Sequence, residues 1–346
     1  MSERRLFLDK GVGEQRGVVT LDGRPERLLI LRDDEAQDLR IGARHRARVR
    51  KVEPQLGSAF LELAGGAEAM LDFKPDARPV QGSAIEVEIR AEPRRGKLAL
   101  ARAIGPAEGA PQLLAPPPGL KAQLSAFAPG VSVTEGEAAR QVADEAEAEA
   151  LDIVHPLPGG GRLSIEPTRA LTAVDIDLGD RQGQETKRVA RQANLAALGA
   201  AARLLRLKGL GGIVVFDLVG RGHDGNALTE AARAAFRPDN PGVAIGPISR
   251  FGTLELLIPR RTRPIAEILL GPDGRPSART LAQRLIRMAE REAAADPGGR
   301  LKLVCAPPIA ESAAPLVEAL KARIGHRLEL VPDSTLKDHE LRVSRA

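Results

Sequence analysis

The sequence predicts a multidomain α+β/α/β protein: an OB-fold barrel near the amino terminus, a core built on a mixed sheet, and a small α+β unit at the end. Three observations lead there. Between residues 41 and 103 five short alternating runs follow one another, at 47–50, 58–62, 69–71, 85–89 and 97–100, which is the number and rhythm of an OB-type barrel. Two apolar runs, 171–177 and 211–217, flank a segment of roughly residues 184–208, and parallel neighbouring strands need a crossover of that length. From about residue 276 an amphipathic helix, a strand, a helix and a strand follow in close order.

In chain order, residues 1–38 contain three alternating runs (5–8, 17–20 and 27–31) broken by Gly and Pro, and read as an antiparallel β segment of the core. The barrel occupies 39–103. Residues 104–119, with a Gly-Ala-Pro sequence and three successive prolines, are too rich in breakers to pack and read as a linker. The core, 120–275, opens with an acidic, alanine-rich helix between 133 and 153. A strand at 162–166, the two aspartate runs, a helix at 226–236 and a strand at 243–248 follow. In the final unit, 276–346, a helix at 278–293 places Leu281, Leu285, Met288 and Ala289 on one side. A strand at 301–306, a helix at 313–324, a strand at 327–331 and a polar tail complete it. No repeat of solenoid spacing is present.

Asp175 and Asp217 are the leading chemical candidates. Each stands at or near the end of a β-branched run that reads as a buried strand. A single acid at a strand end is commonly only a turn former or helix cap. Two on neighbouring strands are different, because converging carboxylates repel and then share a proton or hold a hard cation. Alternation puts Asp177 on the same face as Asp175, so a third carboxylate could join. The crossover segment carries Lys187, Arg188, Arg191, Arg203, Arg206 and Lys208. A solvated basic face is the plain account; a phosphate track beside the acids is the sharper one.

Composition narrows the classes. The chain has 51 Lys+Arg against 46 Asp+Glu and a net charge of +5, with a pI near 9.6, a mild balance in the direction of nucleic-acid binding. Cys305 is the single cysteine, which rules out an internal disulfide and a cysteine-built zinc cage. Its apolar flanks indicate a buried strand thiol. His45, His155, His223, His326 and His339 lack metal-ligand spacing, and neither a Gly-x-Ser-x-Gly elbow nor a Cys/His couple supports acyl transfer. Gly209-Leu-Gly-Gly212 precedes a strand instead of opening a helix, so it is no dinucleotide loop. No run reaches a membrane span and no secretory core follows the amino terminus, which implies a cytoplasmic protein without membrane association. Trp and Tyr are absent and Phe occurs seven times, so any base-stacking surface is sparse.

Several segments resemble the ribonuclease E/G family. They are Leu157-Pro-Gly-Gly-Gly-Arg-Leu-Ser-Ile-Glu166, the continuation to Asp177, Gln192-Ala-Asn-Leu195, the run from Leu204 to Asp217, and Ile248-Ser-Arg-Phe-Gly252. Val52-Glu-Pro-Gln-Leu-Gly-Ser-Ala-Phe60 is similar to the family's inserted S1-like barrel. Val304-Cys-Ala-Pro-Pro-Ile-Ala310 and Leu341-Arg-Val343 are similar to its small terminal domain. The resemblance implies an RNase H-like/DNase I-like core and an Mg²⁺-dependent endoribonuclease on single-stranded RNA, with Mn²⁺ as a substitute ion. Asp175 and Asp217 match the metal-binding aspartates. A metal-activated water would leave a 5′-phosphate and a 3′-hydroxyl. Phe60 matches a base-contacting aromatic and Lys97 a basic residue of the barrel. RNA processing or decay is the implied role, with ribosomal precursors and messengers both open as targets.

The departures shape the expectation. Asp177 stands where the family usually has Asn, Gly220 where a further acid is common, and Met70 where a second stacking aromatic is expected. The interval 104–150 is too short for the family's 5′-monophosphate sensor. Gly271-Pro-Asp-Gly274 replaces the paired-cysteine zinc link, so no zinc is expected, while a homodimer through the terminal domain stays open. The resulting expectation is a cytoplasmic RNA endonuclease. Asp175 and Asp217 hold Mg²⁺, Asp177 assists, and Phe60, Lys97, Arg188, Arg191 and Arg250 contact RNA. The alternatives are a catalytically inactive RNA-binding relative and a metal enzyme acting on a small phosphorylated substrate.

Overall fold

A computed structural model of the chain describes residues 3–94, 96–179, 186–222, 224–239 and 242–345. His223 and the start of the expected crossover, residues 184 and 185, lie outside them. The first three strands, β1 (Arg4–Lys10), β2 (Glu14–Leu21) and β3 (Arg24–Arg32), form an antiparallel meander. Asp22 and Gly23, at φ 51° and 79°, make the tight turn between β2 and β3, where two successive positive φ values match the strand twist.

The barrel follows as β4 (Arg44–Glu53), β5 (Ser58–Glu62), β6 (Glu68–Asp72), β7 (Ala84–Ala91) and β8 (Ala99–Ala107). Their order is β5-β6-β8-β7-β4, and a β4–β5 pairing closes the ring. Ala47, Val49, Leu61, Leu71, Val87 and Ile89 fill its interior. The 104–119 stretch is not simply a linker. β8 runs on to Ala107, and β9 (Gln112–Ala115) pairs with β4 through Arg46↔Gln112 and His45↔Leu113. The prolines at 111 and 116–118 fit because they flank β9 and lie outside its ladder, so their missing N–H groups cost no ladder bond.

Helix α1 (Leu120–Phe127) and strand β10 (Val133–Glu135) return the chain to the first sheet, where β10 pairs parallel with β1. Helix α2 (Glu137–Leu151) is the acidic, alanine-rich helix; Ala139, Ala143, Ala146 and Ala150 face inward. Then come β11 (Val154–Pro156), β12 (Arg162–Pro167), β13 (Thr172–Asp177), α3 (Thr186–Lys208), β14 (Gly212–Asp217), α4 (Gly225–Phe236), β15 (Ala244–Ile248) and β16 (Thr253–Ile258). Their sheet has the order β11-β12-β13-β14-β16-β15 and is mixed: β13 and β14 are parallel, the other pairings antiparallel. The sequence reading had no strand at β11 or β16. β16 alternates along Thr253–Ile258, and it inserts between β14 and β15 because the turn after Ile248 folds back at once.

One apolar cluster joins this sheet to the first. Val18, Leu28 and Ile30 of the first sheet pack with Leu163, Val174, Phe216 and Leu254 of the second, through residues of α2, α3 and α4. From Ala201 to Leu205 every residue of α3 is buried, as expected of a helix covered on all sides. α5 (Ile265–Leu269) packs into the same cluster, and the last unit contains α6 (Ala278–Ala295), β17 (Leu301–Cys305), α7 (Pro307–Ile324), β18 (Leu328–Pro332) and β19 (Leu341–Arg345). β17 lies between parallel β18 and antiparallel β19, and Cys305 is fully buried in it. The expected polar tail therefore contains a strand, and α7 starts earlier than expected because proline suits the first helical turn.

Buried ion pairs tie the first sheet to α2 and α6. Arg16 bonds Asp9 at 2.6 Å and Glu147 at 3.0 Å. Arg287 bonds Glu14 at 2.6 Å and Glu147 at 3.2 Å, and Arg32 bonds Glu14 at 2.8 Å. Burial opposes ionisation of Glu147, but the guanidinium groups of Arg287, Arg284 and Arg16 outweigh it and hold the carboxyl below its usual range. A depressed carboxyl pKa stabilises the fold above the unfolded-state value, and that contribution is lost as pH falls through the folded-state value. Replacing Glu147 with Gln takes one carboxylate from Arg16 and Arg287, which keep Asp9 and Glu14, a loss of at most about 3–5 kcal/mol. Urea unfolding should show this destabilisation near neutral pH, with the difference from the parent shrinking as pH drops below the ordinary carboxylate range.

Candidate metal and nucleic-acid site

The parallel ladder between β13 and β14 places Asp175 opposite Asp217. Along β13 burial alternates: Thr172, Val174 and Ile176 point into the core while Ala173, Asp175 and Asp177 are exposed. Along β14, Val214 and Phe216 point inward and Asp217 is exposed. Paired residues of adjacent strands share a face about 4.8 Å apart, so both carboxylates stand side by side on the uncovered face. Ser164 of β12 and Thr253 of β16 continue the row on either side.

Asp177 shares that face but is engaged elsewhere, since its Oδ1 accepts the Gly179 N–H at 2.9 Å. This is the side-chain turn that aspartate forms readily just past a strand. Among the described residues no group of three or more His, Cys, Asp or Glu side chains is arranged to hold a metal ion. The structure thus sets Asp175 and Asp217 in register and turns one of the two carboxylate oxygens of Asp177 toward its own loop. Two carboxylates still suit a hard cation that completes its shell with water and phosphate oxygens.

Glycine shapes the surroundings of the pair. A Cβ on Gly161 would lie 2.4 Å from the Asp177 carbonyl oxygen, so the Gly-rich turn before β12 can pass under the end of β13 only without a side chain. Gly220 has φ +94°, and its Cβ would sit 3.0 Å from Ala190 Cβ. An acidic residue at 220 would be strained in this backbone.

Asn194 contributes what the sequence reading did not single out. It is 1 % exposed on the inner side of α3. Its Nδ2 donates to the Val219 carbonyl at 3.0 Å, and its Oδ1 accepts the Val219 N–H at 3.1 Å. The peptide just after Asp217 is thereby clamped to the crossover helix. The signal in the sequence was an amide among small apolar residues on the helix's buried face.

The basic residues divide. Arg188 and Arg191, near the start of α3, are exposed, and Arg191 lies 3.4 Å from Asp224. Arg203, Arg206 and Lys208 are not part of a phosphate track. Arg203 pairs with Glu149 at 2.6 Å, Arg206 with Asp239 at 2.8 Å, and Lys208 donates to the carbonyls of Ala150 and Asp152 at the end of α2. Burial pushes the Lys208 ammonium down to about 8. These cations serve the interior because the second half of α3 is enclosed.

Arg250 and Phe251 occupy the turn between β15 and β16. The Arg250 guanidinium lies 4.7 Å from the Phe251 ring centre, and the Gly252 carbonyl accepts the Leu218 N–H at 3.2 Å. In the barrel, Phe60 is half-buried and opposite Met70, which is opposite Leu100. Lys97 is exposed and bridges backbone with Arg94. The barrel meets the core near Arg261, whose carbonyl accepts the Glu92 N–H at 2.8 Å. That contact follows β16, at the end of the sheet away from Asp217.

Comparison with known proteins addresses the same region. Residues 134–261 match the model of the ribonuclease E/G family. Ribonuclease E of Escherichia coli is 30% identical over 207 residues, covering 55% of this chain and 20% of that protein. Ribonuclease E of Haemophilus influenzae is 40% identical over 103 residues, 29% of this chain and 11% of its own length. A chloroplastic ribonuclease E/G-like protein of Arabidopsis thaliana is 32% identical over 120 residues, 33% of this chain and 12% of that protein. The chain spans a fifth or less of the length of these relatives. The matched segment contains the Asp175–Asp217 pair, the Asn194 clamp and the Arg250 turn, and it is through this segment that the chain is similar to the ribonuclease E/G family.

Proposed function

We propose that the chain is an endoribonuclease that cuts single-stranded RNA with the help of Mg²⁺, for which Mn²⁺ can substitute. The carrying observation is the Asp175–Asp217 register pair on an exposed sheet face, within the segment that matches the family. The proteins it resembles there are named ribonuclease E. Asp175 and Asp217 would hold the ion; a carboxylate pair with open positions leaves room for water and a phosphate oxygen. When bound, the ion supplies a water of lowered pKa and offsets charge on the phosphate, giving 5′-phosphate and 3′-hydroxyl products.

The chain's own groups do the rest. Asn194 fixes the peptide after Asp217, so that the carboxylate keeps its direction. Arg188, Arg191 and Arg250 offset phosphate charge along the strand, and the half-exposed Phe60 with Lys97 contacts RNA at the barrel. The alternative, an RNA-binding relative without turnover, draws on one observation: the third carboxylate, Asp177, is bonded to its own loop.

Purified protein with labelled single-stranded RNA separates the readings. Cleavage should require Mg²⁺, stop with EDTA, and fall by at least about 100-fold in Asp175→Asn and in Asp217→Asn, on the scale of removing one pre-organised stabilising group. Both variants should melt normally, because the two side chains are exposed. RNA that is shifted but uncut by the parent supports the inactive relative; RNA neither bound nor cut ends both. Asn194→Ala should raise the Mg²⁺ concentration for half-maximal cleavage by about 10–100-fold, as losses of ligand-orienting groups do, and a curve unchanged from the parent would remove its positioning role. Cleavage should run at the same rate on 5′-monophosphorylated and 5′-hydroxyl RNA, and a clear preference for the monophosphate would refute this indifference to the 5′ end.

A further inference from the structure

We propose that Phe251 is a base-stacking residue: one face of its ring takes an unpaired RNA base next to the cleaved bond, while Arg250 on the ring meets the adjoining phosphate. The assignment rests on the nuclease reading above and adds to it a determinant of single-strand specificity.

Four observations converge on this ring. Phe216 and Phe236 are 0% and 1% exposed, whereas Phe251 is 78% exposed, in a chain that has no Trp or Tyr. The turn that carries it is fixed rather than loose. Ser249 Oγ accepts the N–H groups of Phe251 and Thr253, each at 3.2 Å, and lies 2.7 Å from Thr253 Oγ1. Its location is tied to the aspartates: Thr253 pairs with Asp217, and Leu218 N–H bonds Gly252. Two residues of extended chain span about 7 Å, so the ring's backbone lies within a nucleotide or two of the carboxylates. Finally, the turn forms one wall of a 760 Å³ groove whose other lining includes Gly220, Arg221, Asn226 and Thr229.

Charge selects the ligand class. The described residues lining the groove include Arg221 and Arg250 and no carboxylate. The sheet face beyond the aspartates instead bears Glu166, Ala173, Val215 and Glu255 in one cross-strand row, so a polyanion is favoured in the groove. A groove of this size falls within the ~300–1,000 Å³ of small-ligand sites. A cation already seated against one ring face leaves the other for a base. Stacking tolerates every base, because each has a π-face. The base must nevertheless be out of a duplex, so the groove reads strandedness more than sequence.

The test uses the full chain and single-stranded oligonucleotides in which one abasic site is walked across the cleavage position. With the parent protein, one abasic position beside the cleaved bond should raise KM about tenfold, within the range of base–aromatic stacking. Phe251→Ala should raise KM on intact RNA by a similar factor with kcat kept, and should lose sensitivity to that abasic position; Phe251→Tyr should restore both. Equal KM for Phe251→Ala and the parent, or an abasic penalty that survives in Phe251→Ala, overturns the assignment. If the parent cuts no RNA with Mg²⁺, the nuclease reading fails. Fluorescence anisotropy of the same oligonucleotides then decides the stacking alone: cancelling effects of ring and base support it, and equal affinities reject it.

Discussion

The parallel pairing of β13 with β14 is the constraint from which the site follows. Two parallel neighbours cannot be joined by a tight turn, so the chain must leave the sheet and return, and α3 is that return path. The parallel register brings the two strand ends together, and with them Asp175 and Asp217. The same crossover places Asn194 under the loop that leaves β14. Carboxylate pair and clamp are therefore consequences of one topological decision, made where apolar strand, helix and apolar strand succeed one another.

The enclosure of α3 has its own cost. The second half of α3, packed between two sheets, has no solvated side for charges, yet Arg203, Arg206 and Lys208 lie there. Each is matched by a carboxylate or by the carbonyls ending α2. The first sheet meets α2 and α6 through a similar set, with Arg16, Arg287 and Glu147 at its centre. Such pairs gain little over apolar packing, but breaking one is expensive. They fix how the elements meet more than they add to stability.

Around the aspartates, Asp177 and Gly220 each have a local setting. Asp177 bonds the backbone of the turn that follows it, and Gly220 occupies a conformation that resists a side chain. The surface there depends on a few groups held by rigid neighbours: two acids on strands, a buried amide, and an arginine–phenylalanine pair on a turn locked by a serine.

Periodicity alone determined the barrel strands, the crossover and the face shared by Asp175 and Asp177, because strand alternation and helix length are local properties written residue by residue. The family resemblance likewise needed only the order of residues through the core. Tertiary structure decided what depends on neighbours distant in sequence. Residues 112–115, a short run between prolines, joined the barrel sheet at its edge, and β16 entered the second sheet between β14 and β15. Basic residues with one sequence signature split into internal partners and exposed groups according to whether a second sheet covered them. Phe251, one of seven phenylalanines in sequence, became distinctive only when folding left it in solvent beside the carboxylates, since exposure is set by what packs against a side chain and not by the side chain itself.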